Sequence, residues 1–231
     1  MDFSRFTHLS FDCYGTLIDW EAGILPALRK VLEKHRQKVT DAEILEHYGE
    51  FEADIEAGPY QTYREVLDEV VARFGARYGF TPAAGERRSL PDSVAAWPPF
   101  VDTVAALHKL QQRYKLVIIS NIDDDLFAAT RKLLKTDFRA VITAQQARSY
   151  KPSLNNFQKA LDTLAIQPDR LLHAAQSVYH DVVPAQSLGI ATVWVNRKSA
   201  RPGIGAVRPA AAKPDVEVPD LETLASLAEG A

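Results

Sequence analysis

A carboxylate stands at the end of the first short apolar run, where it could do chemistry. Asp12 follows the run His8–Phe11 and opens a loop with the sequence DCYGTL at positions 12–17. A carboxylate at a strand end, in a turn that contains glycine, can face a substrate with backbone N–H groups around it. Such a side chain can act as a nucleophile and form a covalent intermediate. Asp12 is therefore the candidate nucleophile.

Polar residues also follow later runs of the chain, namely Ser120 and Asn121, Lys151, and Asp181. A lysine can supply the fixed positive charge that keeps a neighbouring carboxylate ionised. A second carboxylate can position or deprotonate a water molecule. Because sites in open α/β sheets lie at the carboxyl ends of the strands, we expect these groups to lie together.

The elements that must position them are short strands alternating with helices. Continuous apolar runs, typical of strands buried on both faces, occur at 8–11, 116–119, 140–143, 171–175, 191–195 and, more weakly, 215–218. Helical spacing of apolar residues separates them at 101–114, 123–134, 153–164 and 182–188. This alternation predicts an α/β fold, a doubly wound parallel sheet with helices on both faces.

One segment breaks the alternation. Between Trp20 and Trp97 the sequence carries helical patterns without a convincing strand. The simplest interpretation is an α-helical cap at residues 19–97, inserted into a catalytic core formed by residues 1–18 and 98–231. The Pro-, Gly- and Ala-rich stretch at 201–214 predicts a surface loop.

The chain resembles the haloacid dehalogenase superfamily, whose four motifs match, in their order along the chain, Asp12 with Thr16, Ser120, Lys151 and Asp181. The resemblance covers residues 8–18 and 98–197, and the cap falls between the first two motifs, as in the subgroup with a helical cap. It implies a Rossmann-like core and a hydrolase that works through an aspartyl ester.

Position 14 favours one branch of that superfamily. Its phosphatases carry a second Asp two residues after the nucleophile, which protonates the leaving group, whereas this chain has Tyr14. A phenol with a pKa of about 10 is a poor general acid, and a halide leaves without a proton. The loop is similar to that of the 2-haloacid dehalogenases. The resemblance thus implies cleavage of the carbon–halogen bond of a small 2-haloalkanoic acid, without a metal or other cofactor.

The resemblance also implies a role for each residue. Asp12 would displace the halide, Lys151 would keep it ionised, and Asp181 would activate the water that frees the 2-hydroxy acid. The remaining residues would orient Asp12 or contact the substrate: Thr16, Ser120, Asn121, Ser177 and, as part of the wall around the leaving group, Tyr14.

The sequence departs from the family in two places. Dehalogenases of this group use an Arg early in the cap to hold the carboxylate or halide, and the matching stretch at 47–50 contains none. Arg64 is the nearest candidate for substrate binding. The Ser and Asn expected before the last Asp fall at Gln176 and Val178, with Ser177 between them.

Two other functions and several plainer roles stay open. A Mg²⁺-dependent phosphatase could hold its ion with Asp12, the carbonyl of Tyr14 and Asp181, because hard cations prefer oxygen ligands. An interaction protein that kept the fold is the third hypothesis.

Taken singly, Asp12 could form a turn, and Asp181 or the pair at 120–121 could cap a helix. The aromatic residues Phe51, Tyr60, Tyr63 and Trp97 could line a pocket or form the core of the cap.

Composition excludes several partners. The net charge of −3, with 27 scattered basic residues, does not favour nucleic acid or an anionic membrane. No apolar stretch is long enough to cross a bilayer. The single cysteine, Cys13, excludes an internal disulfide, so we expect a reducing cytoplasm, and a homodimer is a possible assembly.

Overall fold

A six-stranded parallel sheet forms the centre of the molecule. The computed structural model describes residues 1–197, 205–206 and 210–230. The strands are β1 His8–Phe11, β2 Lys115–Ser120, β3 Ala140–Thr143, β4 Leu171–Ala175, β5 Ala191–Val195 and β6 Val216–Val218. Their order across the sheet is β3-β2-β1-β4-β5-β6. The predicted α/β fold is confirmed, and β1, which carries Asp12 at its end, lies between β2 and β4.

Helices surround the sheet and fill the interval between β1 and β2. That interval holds α1 Trp20–Lys34, α2 Asp41–Glu56, α3 Tyr63–Tyr78, α4 Ala84–Arg87, α5 Ser89–Ser93 and α6 Thr103–Leu110. After β2 come α7 Asp124–Leu134, α8 Ala144–Ala147, α9 Leu154–Leu164, α10 Val183–Ser187 and α11 Leu221–Glu229. The three helical patterns of the predicted cap correspond to α1, α2 and α3.

Alternating strand residues face the two helical layers. Val117 and Ile119 of β2 pack with Phe157 and Leu161 of α9 in one buried cluster. Ile118, between them, belongs to the larger cluster on the opposite face. Strands with apolar residues on both faces are stable only when helices cover both faces, which explains their continuous apolar runs.

Capping residues determine where two of the cap helices near the site begin, and a glycine allows a third to pack closely. Thr40 and Thr62 each accept a hydrogen bond from the N3 backbone of α2 and α3, and a glutamate at N3 completes both capping boxes. Gly23 of α1 lies under the indole of Trp97, where an added Cβ would come within 2.1 Å of the ring. Trp97 therefore packs against α1 within the segment predicted as the cap.

The bounds differ from the predicted ones in a few places. The helix expected at 101–114 spans only Thr103–Leu110, since residues 111–114 form a turn that leads into β2. A π-helical turn at Val178–Val182 precedes α10 and was not predicted. Of the surface loop predicted at 201–214, residues 201–204 and 207–209 lie outside the described part of the chain.

Candidate active site

Asp12 lies in a tight loop at the carboxyl end of β1. Its backbone N–H donates to the carbonyl of Ala174, which extends the pairing of β1 with β4 by one residue. Gly15 then adopts a φ of +90°, a conformation that favours glycine, and the chain turns back on itself. The Thr16 hydroxyl donates to Asp12 Oδ2 over 2.8 Å. Thr16 therefore holds one carboxylate oxygen and leaves the Asp12 side chain bordering a cavity.

Lys151 joins two carboxylates beneath the same cavity. Its Nζ lies 2.8 Å from Asp12 Oδ1 and 2.6 Å from Asp181 Oδ1. It also donates to the carbonyl of Ile119 over 2.9 Å. An ammonium has three N–H donors, so these partners occupy all of them. The lysine is 2% exposed, which makes this a buried ion-pair network.

The two carboxylates of the network differ in their pKa. Burial raises the pKa of Asp12 above its ordinary value, although Lys151 and Thr16 oppose the rise. Burial also acts on Asp181, but Lys151 and His173 outweigh it, so the pKa of that carboxyl is lowered. Removing one member of such a network leaves an uncompensated buried charge, so Lys151 is needed to keep both carboxylates ionised.

His173 was not predicted as part of the site. Its Nε2 lies 2.9 Å from Asp181 Oδ1, and its Nδ1 lies 2.8 Å from the Ser10 hydroxyl. With the proton on Nε2, the imidazole donates to Asp181 and accepts from Ser10. His173 sits within the apolar run of β4, so the sequence gives no sign of its contacts. Its hydrogen bond with Ser10 follows from the register of the sheet, which pairs these two residues across β1 and β4.

The cavity brings most of the predicted residues together. It is lined by Asp12, Tyr14, Ser120, Asn121, Lys151, Ser177 and Asp181 from the predicted set, and also by Trp20, Glu52, Glu56, Tyr63, Gln176 and His180. Thr16 lies behind Asp12 and also accepts a hydrogen bond from the backbone of Gln176. The geometry thus gathers residues that follow β1, β2 and β4, the lysine of the loop before α9, and residues of three helices of the cap, α1, α2 and α3.

Asn121 and Ser177 hold neighbouring backbone as well as lining the cavity. Asn121 Oδ1 accepts from the backbone N–H of Lys151, and its Nδ2 donates to the carbonyl of the same residue. This places the lysine loop against the end of β2. The Ser177 hydroxyl accepts from the backbone N–H of His180, which fixes the π-helical turn that carries Asp181.

Helix capping does not account for the polar residues at these strand ends. The N-cap of α7 is Asp123, so neither Ser120 nor Asn121 caps that helix. Asp181 lies inside the π-helical turn, ahead of α10. Asp123 instead accepts from the backbone N–H groups of Tyr63 and Arg64 at the start of α3.

Arg64 lies outside the cavity. Its guanidinium is 43% exposed and pairs with Asp125, 2.6 Å away, and more distantly with Asp92. The expectation that Arg64 binds substrate finds no support in this placement, because the first turn of α3 directs the side chain toward α7. Its role is to join the cap to the sheet-bearing core.

Tyr14 contributes its ring rather than its hydroxyl. The hydroxyl oxygen lies 2.8 Å from Thr130 Oγ1 in the interior, and the ring meets Trp97 edge to face. Burial raises the pKa of Tyr14 well above its ordinary value. The phenol is therefore unable to deliver a proton at the cavity, in agreement with the role expected of a wall residue.

The cap supplies two carboxyl groups that sequence reasoning missed. Glu52 and Glu56 lie one helical turn apart on α2, and both line the cavity. Glu52 Oε1 accepts from the hydroxyl of Tyr48 and from that of Tyr63. Asn121 Nδ2 donates to Glu56 Oε2 over 3.0 Å. The sequence shows only their spacing of four residues, which puts both on one face of a helix without indicating that this face is buried.

The aromatic residues of the cap divide between pocket and core. Tyr63 lines the cavity, whereas Phe51 packs edge to face on Phe74 within the cap. Tyr60 stacks on Tyr150.

The comparisons with known proteins agree with this fold. A family model for haloacid dehalogenase-like hydrolases matches residues 6–189. The chain belongs to the haloacid dehalogenase-like hydrolase family. A curated relative, "Haloacid dehalogenase-like hydrolase domain-containing protein 3" from Danio rerio, is 28% identical over 107 residues. That match covers 46% of this chain and 44% of the relative, so the chain matches less than half of the relative's length.

Solved structures share the fold over nearly the whole chain. The L-2-haloacid dehalogenase of Xanthobacter autotrophicus superimposes with a TM-score of 0.82 at 21% identity, covering 97% of this chain and 99% of that one. Its structure with chloropropionic acid covalently bound gives a TM-score of 0.83 at 21% identity, with the same coverage. The magnesium-bound structure of YfnB from Bacillus subtilis gives 0.77 at 21% identity, covering 97% and 99%. At these identities the likeness establishes the fold.

None of the helices in the described part of the chain is long and apolar enough to span a bilayer. No group of three or more His, Cys, Asp or Glu side chains in that part of the chain is arranged to hold a metal ion. Homodimerisation and a cytoplasmic location stay predictions.

Proposed function

We propose that the chain hydrolyses the carbon–halogen bond of a small 2-haloalkanoic compound through an ester on Asp12. The sequence predicts a 2-haloalkanoic acid as substrate and a 2-hydroxy acid as product. The observation that carries the proposal is the buried Lys151 ammonium, which holds Asp12 as a carboxylate at the cavity wall. A carboxylate oriented in this way is a preformed nucleophile for a compact electrophilic carbon.

The first step is a displacement at carbon. An Asp12 oxygen forms a bond to the carbon as the carbon–halogen bond breaks, and the halide leaves with the bonding electron pair. No proton is required, which agrees with a Tyr14 hydroxyl that is bound to Thr130 in the interior.

The second step is hydrolysis of the ester. Water attacks Cγ of Asp12 and one water proton passes to a base. The bond between Cγ and the ester oxygen breaks, and this oxygen, which came from Asp12, stays on the product and takes up a proton. Asp181 suits the role of base, because its Oδ1 is held by Lys151 and His173 while the buried Oδ2 has no partner among the described residues. One water oxygen stays in the regenerated Asp12 carboxylate.

The donor set fits a magnesium ion poorly. Asp12 Oδ1 and Asp181 Oδ1 accept from Lys151, and Asp12 Oδ2 accepts from Thr16. Asp181 Oδ2 is thus the one oxygen of these two carboxylates without a hydrogen-bond partner in the described part of the chain. A cation between the carboxylates would have to displace the lysine. We therefore propose catalysis without a metal, and the magnesium-dependent phosphatase is the alternative that the assay must exclude.

Halide release tests the proposal. Purified protein is incubated with 2-chloropropionate and, separately, with 2-chloropropionamide, each with and without EDTA, and released chloride is measured. We expect release that survives EDTA and disappears in Asp12→Asn. Turnover of p-nitrophenyl phosphate that requires Mg²⁺, without halide release, would instead support the phosphatase, and inactivity toward all three compounds would contradict both enzymatic proposals.

A further inference from the structure

The wall of the cavity formed by α2 accepts hydrogen bonds. Glu52 is 5% exposed and is held by the hydroxyls of Tyr48 and Tyr63. Glu56 has one oxygen bonded by Asn121, while its Oε1 is buried and has no partner in the described part of the chain. Glu56 Oε1 is therefore an unsatisfied polar atom beside the candidate nucleophile, of the kind a ligand completes.

A second unsatisfied group comes from the sheet. Ser120, at the end of β2, is 1% exposed and lines the same cavity. Its hydroxyl also has no partner among the residues described. A hydroxyl can donate, and a carboxylate can only accept. The Ser120 hydroxyl and Glu56 Oε1 thus provide a donor and an acceptor that lack partners among the described residues, in addition to Asp181 Oδ2 of the proposed base.

The charges around these two groups disfavour an anion. Four carboxyl groups border the cavity, at Asp12, Glu52, Glu56 and Asp181. The Lys151 ammonium donates to two of them and to the backbone carbonyl of Ile119, so it has no donor left for an anion. Burial and the proximity of Glu52 raise the pKa of Glu56 well above its ordinary range, and burial raises that of Glu52 to about 7. These changes in pKa weaken the negative charge of the wall without making it positive.

We infer that the substrate carries a carboxamide beside the halogen-bearing carbon, with its N–H donating to Glu56 and its carbonyl accepting from the Ser120 hydroxyl. A carboxamide offers one donor and one acceptor and no charge, and so complements both unsatisfied groups. A carboxylate of the same shape offers two acceptors and a negative charge toward Glu56. The inference rests on the proposed function and replaces the carboxylate predicted from the sequence with its neutral isostere.

Isosteric substrates test the inference. Chloride release is measured for 2-chloropropionamide and 2-chloropropionate at pH 7.5, and the two kcat/KM values are compared. We expect the amide to exceed the acid by at least about tenfold, since one unsatisfied polar contact is worth about that factor. Glu56→Gln should reduce this ratio by about tenfold or more. Glu50→Gln, on the exposed side of the same helix, should leave it unchanged.

A binding measurement separates failure of the inference from failure of the proposed function. Isobutyramide and isobutyrate, which lack the halogen, are titrated calorimetrically into wild type and Glu56→Gln. Preferential amide binding that is lost in the variant would support the recognition role even if no chloride were released. Preference for the acid in wild type, or a ratio of amide to acid affinity that Glu56→Gln leaves unchanged, would overturn the inference. Halide release from the acid would, in that case, still support the proposed function.

Discussion

Replacement of Lys151 by methionine removes the ammonium that joins Asp12 to Asp181, and its effects can be estimated from the contacts. The side chain is buried, and two of its three hydrogen bonds go to carboxylates at 2.8 and 2.6 Å. Removing one partner of a buried ion pair costs about 3–5 kcal/mol, because the remaining charge is left without compensation. We expect a loss of about 4 kcal/mol in the free energy of unfolding at pH 8.

The loss should depend on pH. Without the ammonium, burial and mutual repulsion raise the folded-state pKa of Asp12 and Asp181 above their unfolded values of about 3.9. Groups with a raised folded pKa destabilise the folded state as pH increases through that pKa. At pH 5 both carboxyls can take up protons, so we expect the loss to shrink to about 1–2 kcal/mol, the cost of unsatisfied neutral groups.

Activity should fall more steeply than stability suggests. Each unit by which the pKa of Asp12 rises above the assay pH lowers the ionised fraction about tenfold. We therefore expect kcat/KM for halide release at pH 7 to fall by at least about 100-fold, in protein that is still folded at 25 °C.

Urea unfolding at pH 5 and pH 8, followed by circular dichroism, measures the stability changes, and chloride release measures activity. Lys132→Met, at an exposed position of α7, serves as the matched control and should match wild type in both assays. A Lys151→Met protein with wild-type turnover, or with the same loss of stability at both pH values, would refute the reasoning.

Two further predictions concern buried side chains that line the cavity, Tyr14 and Glu52. Tyr14→Phe should lose about 1–2 kcal/mol of unfolding free energy, because Thr130 Oγ1 is left without its partner. Chloride release should stay within about threefold of wild type. A large loss of turnover in folded protein would show that the phenol takes part in the reaction. Glu52→Gln should make the free energy of unfolding less dependent on pH. Burial raises the folded pKa of Glu52 to about 7, so ionising this side chain destabilises the folded wild type. We expect wild type to lose up to about 3 kcal/mol of unfolding free energy relative to the variant as pH rises from 5 to 8. A difference in unfolding free energy that stays constant across this range would contradict the assigned ionisation.

The sequence predicted the sheet and the residues at the strand ends because those features are local. An apolar run that stops at a polar residue marks a buried strand, and parallel strands bring such residues to one edge. Asp12, Lys151 and Asp181 therefore could be placed together before their distances were known. The roles assigned to them stay predictions that the proposed experiments test.

The residues supplied by the cap could not be predicted in the same way. Which face of α2 or α3 meets the sheet depends on how the inserted helices pack, and no local signal specifies it. Arg64 was expected to contact substrate, but the start of α3 turns it toward Asp125, while Glu52 and Glu56 point into the cavity. His173 was not predicted for a related reason. Its partner Asp181 lies in the turn after β4, and the sequence does not show that this turn folds back onto the strand.

The origin of the product oxygen tests the central claim most directly. Enzyme in excess over the preferred chlorinated substrate is allowed a single turnover in H₂¹⁸O, and the hydroxy product and the peptide that contains Asp12 are analysed by mass spectrometry. If Asp12 forms the ester, the product of this first turnover is unlabelled and the peptide gains ¹⁸O in its carboxylate. A labelled product with an unlabelled Asp12 peptide would show that water attacks the substrate directly, and would contradict the account.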